Sequence, residues 1–182
     1  MPRPQTVIPR PAQAETGGPQ QSEQTVQARG TGVLPREAPT GIRALTVHPP
    51  WSDLIAIEDE AIAKRIENRT WTRNWRGTLL IHGGLTIDQL ALARPAVREA
   101  LPDDYQPVLG CVVAIADLIG IHPDDGPCTP WSERGCHHWE LANVQRLQPV
   151  KTRGAQGLWT PQQPLLDRIA ADNPAHAIRL AA

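Results

Sequence analysis

The chain has 182 residues, 40% of them apolar and 20% charged, and a formal net charge of −1, which is the length and balance of one globular domain. Near-zero charge excludes a protein coated in nucleic acid over its whole surface, so any polyanion contact must be local. No apolar stretch approaches the ~20 residues of a membrane-spanning helix. Cys111, Cys128 and Cys136 have no paired spacing, which implies a reducing compartment and a cytoplasmic location.

Residues 1–40 are crowded with Pro, Gln, Gly and Thr and nearly lack large apolar side chains. Such a segment cannot bury enough surface to offset the entropy of ordering it. It is expected to be a disordered tail, dispensable for folding, or else a segment that orders on a protein partner. It has neither the apolar run of a signal peptide nor the periodicity of a transit peptide. From Gly41 the composition turns globular, leaving about 120–140 residues for a core.

Residues 41–47 alternate in the manner of a strand and stop at Pro49-Pro50. Trp51, Leu54 and Ile55 share one face of a short helix running to about Ile57, with Pro50 in its first turn. Glu58-Asp59-Glu60 reads as a solvated turn. Lys64–Trp71 is a candidate strand, and Arg76–His82, with Leu79-Leu80-Ile81, is a buried one ended by Gly83-Gly84. Thr86 and Gln89 have the spacing of a capping box for a helix whose apolar stripe is Ile87, Leu90, Ala91 and Val97. Pro95 must kink or split that helix.

Leu109–Ile121 predicts a long, bent strand between Gly110 and Gly120, followed by a Pro/Asp/Gly-rich loop over residues 122–135. His138–Leu147 is a further strand, Gly154–Trp159 a short closing one, and Leu165, Leu166 and Ile169 mark a terminal helix. Together these predict an α+β, mainly β domain: a small pseudo-barrel of about five to six strands with two to three short helices. Residues 41–161 would form the domain, and residues 162–182 a C-terminal helix or tail.

Six Trp, one Tyr and no Phe mean that some Trp must fill the core, while others are free to stack on a ligand. The segment Lys64–Arg76 holds five basic residues and one acid, a local net of +4. Basic side chains interleaved with Trp suit phosphates and unstacked bases, although from spacing alone a charged, solvated edge strand accounts for them more readily. On a strand, Arg65, Glu67, Arg69 and Trp71 would share one face, with Glu67 bracing both guanidiniums, and Lys64, Ile66, Asn68 and Thr70 the other.

Five motifs, in order, resemble those of ASCH domains, RNA-associated members of the PUA-like superfamily. Ala44–Trp51 (ALTVHPPW) is similar to the L-S-I-x-Q-P-W opening, and Lys64–Trp71 (KRIENRTW) to the K-x-x-E-N-R-x-W signature. Arg76–His82 is similar to the strand that follows, Gly135–Leu141 to a G-x-x-H-W-x-L element, and Gly154–Trp159 to the terminal G-x-x-G-L-W. The resemblance covers roughly residues 42–161 and implies a PUA-like pseudo-barrel with a cleft between the Trp51 helix and the Lys64–Trp71 strand. Where the family commonly has a Gly before the Lys, this chain has Ile62-Ala63 and three extra acids, so the cleft rim is expected to differ.

The implied function is recognition of RNA, a nucleotide or a modified base. The implied binding residues are Trp51, Lys64, Glu67, Asn68, Arg69, Trp71, His82 and His138. Lys64 and Arg69 would meet phosphate or carbonyl oxygen, Glu67 would accept from a base edge or brace Arg69, and Trp51 or Trp71 would stack. One branch of the family resembles amidohydrolases of acylated cytidine, which use a Lys, a Thr three residues later and a downstream Glu. Here Lys64 fits, but Glu67 stands in the Thr place and Asp117 is the only carboxylate on Leu109–Ile121. An enzyme would therefore have to work with Lys64, Glu67, Thr70 and Asp117. A third reading is an adaptor with a vestigial cleft and a partner-recruiting tail.

His82, at the end of a buried strand, reads as a hydrogen-bonded residue before a general base. Cys128 is far from Cys136, and His137 and His138 point to opposite faces of a strand, so neither spacing predicts a metal ligand set. No metal and no cofactor is expected.

Overall fold

The computed structural model describes residues 41–180. The tail predicted over residues 1–40 lies outside the described residues. Among those described, six strands form one curled, half-barrel sheet: β1 (Arg43–Val47), β2 (Ile66–Arg69), β3 (Gly77–Gly83), β4 (Cys111–His122), β5 (His137–Lys151) and β6 (Leu158–Trp159). The order is β2-β5-β4-β3-β1-β6, with β1 parallel to β3 and every other pairing antiparallel. The helices are α1 (Trp51–Ile55), α2 (Gln89–Leu92), α3 (Pro95–Ala100), α4 (Gln163–Asp172) and α5 (Ala177–Leu180), with a 3-10 turn at Pro174–His176 before α5. No helix is long and apolar enough to cross a membrane among the described residues.

The sheet is covered on both faces, which explains its continuous apolar runs. Leu45, Val47, Leu79 and Ile81 enter one core with Ile55, Trp75, Val113 and Trp139. Their alternates Ala44 and Leu80 enter a second core with Val112, Ile115, Leu147, Ile169 and Leu180. The C-terminal segment, expected as a helix or a tail, thus packs its helices into the second core.

The predicted elements are present with shifted limits. The Lys64–Trp71 strand shrinks to β2, and α1 ends two residues early at Ile55. The β4 strand is long and bent, as expected, with three register shifts against β5. Pro95 splits the predicted helix and becomes the first residue of α3. The capping box is not formed; Asp88 is the N-cap and accepts from the Ala91 amide at 2.9 Å. Leu90, expected on the buried stripe, is 82% exposed because α2 is a single turn that buries only Ala91.

Candidate functional site

A cavity of about 830 Å³ opens beside the C-terminal ends of β1 and β3 and is lined by Thr46, His48, Arg69, His82 and the loop 152–157. Local sequence explains how the loop comes so close. A Cβ on Gly154 would lie 2.5 Å from His82 Cε1 and 2.6 Å from both His82 Nδ1 and Thr46 Oγ1, so only glycine lets the backbone cross there. Thr46 Oγ1 ties the loop down by donating to the Ala155 carbonyl at 2.9 Å, and itself accepts from Trp159 Nε1 at 3.3 Å.

Arg69 reaches the cavity from β2. Its Nη2 donates to the Thr46 carbonyl at 2.9 Å and pairs with Glu67 Oε1 at 3.0 Å, which fixes the guanidinium. His82, 2% exposed, donates from Nε2 to the Thr152 carbonyl at 3.2 Å. That bond leaves Nδ1 as an acceptor, and burial holds the ring below its ordinary pKa, in the neutral form. Among the described residues, Ser52 Oγ, Arg69 Nε and His82 Nδ1 are buried with no hydrogen-bond partner. Arg69 and His82 line the cavity, but these two nitrogens lie behind its wall, with the Gly154 backbone packed against His82 Nδ1. Arg153, exposed on the loop, adds a second guanidinium from the solvent side.

The rest of the predicted set is placed elsewhere. Lys64, expected on the face opposite Glu67, precedes β2, and its Nζ turns back to Glu67 Oε2 and the Ile66 carbonyl. It is 2% exposed, and burial lowers its pKa, with Glu67 opposing that shift. Lys64 therefore braces Glu67 from within and does not line the cavity. Arg65, expected to share Glu67, instead pairs with Glu60 at 2.8 Å and donates to the Ile55 and Ile57 carbonyls. The acidic turn is therefore a partner for Arg65 and not merely solvated.

Neither candidate stacking plate lines the cavity. Trp51 donates from Nε1 to Asp88 at 2.9 Å, with the Arg94 guanidinium 5.0 Å from its ring. Trp71 packs edge-on against Trp139 at 4.7 Å, with Arg73 above it at 4.8 Å. Trp75 and Trp139 are the tryptophans buried in the core. Asn68 is committed to the loop 123–136: its Nδ2 donates to the Trp131 carbonyl at 2.8 Å, and its Oδ1 accepts from the Glu133 amide at 3.0 Å.

The amidohydrolase set is not assembled. Thr70 lies past the end of β2, exposed. Asp117 is taken by Arg179 and Asn143, each at 2.8 Å, and neither touches Lys64. His138 is buried beside Cys128 and His122, away from the cavity lining.

Of the eight predicted binding residues, Arg69 and His82 line the cavity, and Glu67 and Lys64 support it from behind. Sequence reasoning missed Thr46, His48, Arg153 and Gly154. The signal for Gly154 was present in the Gly154–Trp159 segment, where a loop glycine ahead of a short strand marks close backbone approach. Neither the protein-family models nor the curated proteins match this chain.

Proposed function

We propose that the domain is a binding module for a nucleotide or modified base, held in the cavity between Arg69, His82 and the loop 152–157. The observation that carries this reading is a cavity lined by two guanidiniums, Arg69 held in place by Glu67 and Arg153 exposed on the loop. A guanidinium already fixed by a carboxylate can donate to a ligand oxygen with little further loss of side-chain freedom. A nucleotide offers an acceptor to each, a base carbonyl to Arg69 and a phosphate to Arg153. The motif resemblance to ASCH domains supports the same ligand class. The buried, paired Lys64 and the distant Asp117 favour binding over amide hydrolysis.

Isothermal titration with a panel of nucleosides and nucleotides tests the reading. Arg69→Ala should weaken binding of the best ligand on the order of tenfold or more, while Arg73→Ala, exposed and outside the cavity, should change it little. Equal, negligible effects of both substitutions would reject the site. An N4-acylated cytidine belongs in the panel: release of its acyl group, abolished by Lys64→Ala, would replace the binding reading with a hydrolytic one.

A further inference from the structure

A second constellation lies apart from the cavity, where the loop 123–136 leaves and rejoins the sheet. His122 ends β4, His138 is the second residue of β5, and the two are cross-strand partners. Their rings meet edge-on with centroids 5.0 Å apart. The loop between them brings Cys128 Sγ to 3.4 Å from His138 Nδ1. One ligand atom from each of His122, Cys128 and His138 lies within 4.8 Å of the others.

The hydrogen bonds around the three groups prepare them as ligands. His138 is fully buried and donates from Nε2 to the Glu133 carbonyl at 2.9 Å, which leaves Nδ1, the nitrogen facing the sulfur, with its lone pair. His122 donates from Nδ1 to the Pro123 carbonyl at 2.8 Å, leaving Nε2 as its lone-pair nitrogen. A carbonyl on the far nitrogen of each ring is the usual support of a metal-bound histidine. Metal–sulfur and metal–nitrogen bonds of ~2.3 and ~2.0 Å at a tetrahedral angle put sulfur and nitrogen about 3.5 Å apart, which the Cys128–His138 distance matches. A thiol–imidazole hydrogen bond would account for Cys128 and His138 alone, while His122 also lies near two carboxylates, 3.5 Å from Asp125 and 3.6 Å from Glu140. Cys128 is free of any disulfide.

We infer that His122, Cys128 and His138 form a zinc-binding site, with a water completing a tetrahedron. Chain spacing alone hides the site because its ligands come from two strand ends and a loop, and neither Cys136 nor His137 takes part. The ion clips the loop 123–136 to the β4–β5 hairpin. That loop grips Asn68 through Trp131 and Glu133, so the clip also steadies β2, which carries Glu67 and Arg69. The site does not depend on what the cavity binds.

Cobalt is the probe, added to the metal-stripped full-length chain without a histidine tag. The wild-type protein should bind one equivalent, show a thiolate-to-cobalt charge-transfer band, and lose that band when zinc is added. Cys128→Ser should abolish the band and His122→Asn should weaken cobalt binding at least tenfold. Cys136→Ser should leave both unchanged. Zinc should raise the melting temperature of the wild-type protein and not that of Cys128→Ser. Absence of the band in the wild-type protein, or its persistence in Cys128→Ser, would overturn the site. Because Cys128 is exposed, its replacement tests the site without threatening the fold.

Discussion

Glu67 is the residue on which the candidate site turns, because one buried carboxylate holds two cations with different jobs. Lys64 is locked inside and Arg69 is presented to the cavity. The alternation expected from sequence put Lys64 on the face opposite Glu67, where Glu67→Gln would not touch it. With Lys64 2% exposed, that substitution strands a buried ammonium, and breaking such a pair typically costs roughly 3–5 kcal/mol. Urea denaturation should show this loss for Glu67→Gln and a smaller one for Lys64→Met, since Glu67 then keeps Arg69. Equal stability of Glu67→Gln and wild type would mean that Lys64 reaches water. His82 gives a second test at this scale. Burial depresses its folded pKa below the ordinary 6.5, so between those two values the unfolded chain binds a proton that the fold does not. Stability should therefore fall as pH drops below 6.5, with a slope of at most about 1.4 kcal/mol per pH unit, and level off below the folded pKa. His82→Gln should remove this component in melts across that window. A wild-type and variant profile that run parallel would show that His82 protonates freely in the fold.

At the scale of elements, the strands carry Arg69 and His82 to the cavity, and the loop 152–157 closes over them. Gly154 should be the least replaceable residue of that loop. Gly154→Ala puts a methyl group within 2.6 Å of the His82 ring and of Thr46 Oγ1, and overpacking of this kind costs on the order of 1–3 kcal/mol. Calorimetric melts should show that loss, and titration should show weaker ligand binding, whereas Gln156→Ala, exposed on the same loop, should do neither. An unperturbed Gly154→Ala protein would mean that the loop stands away from His82. The strands that position this loop were legible because period-2 alternation survives burial: Leu79 and Ile81 face one core and Leu80 the other. The loop itself was not, since its role depends on which strand ends it crosses, and that follows from the parallel pairing of β1 with β3. The face of Lys64 was misread because β2 begins only at Ile66, and alternation has no meaning outside the strand. The His122–Cys128–His138 cluster was hidden for a related reason: cross-strand register decides it, and register was not readable from spacing.

At the scale of the whole molecule, the basic segment Lys64–Arg76 looks like a polyanion groove in one dimension and does not in three. Lys64 is internal, Arg65 is neutralised by Glu60, and Arg76 donates to the Arg73 and Trp75 carbonyls. What faces the cavity is the guanidinium of Arg69, with Arg153 on the solvent side, on a protein of net charge −1. Near-neutral charge likewise leaves any polyanion contact local. A cavity with so few cations should hold one nucleotide and gain nothing from a longer strand. Each phosphate contact on a single strand adds about −0.7 to the slope of log affinity against log salt. For a mononucleotide the slope should be about −1 or shallower, from the Arg153 contact, and lengthening the ligand to about eight nucleotides should neither steepen it nor tighten binding. Arg153→Ala should bring the nucleotide down to the affinity of its nucleoside, while Arg69→Ala weakens both alike through the base edge. Fluorescence titrations at several salt concentrations read all of these from one set of curves. A slope that grows with strand length would instead require a groove running beyond the cavity, and the single-nucleotide reading would fall.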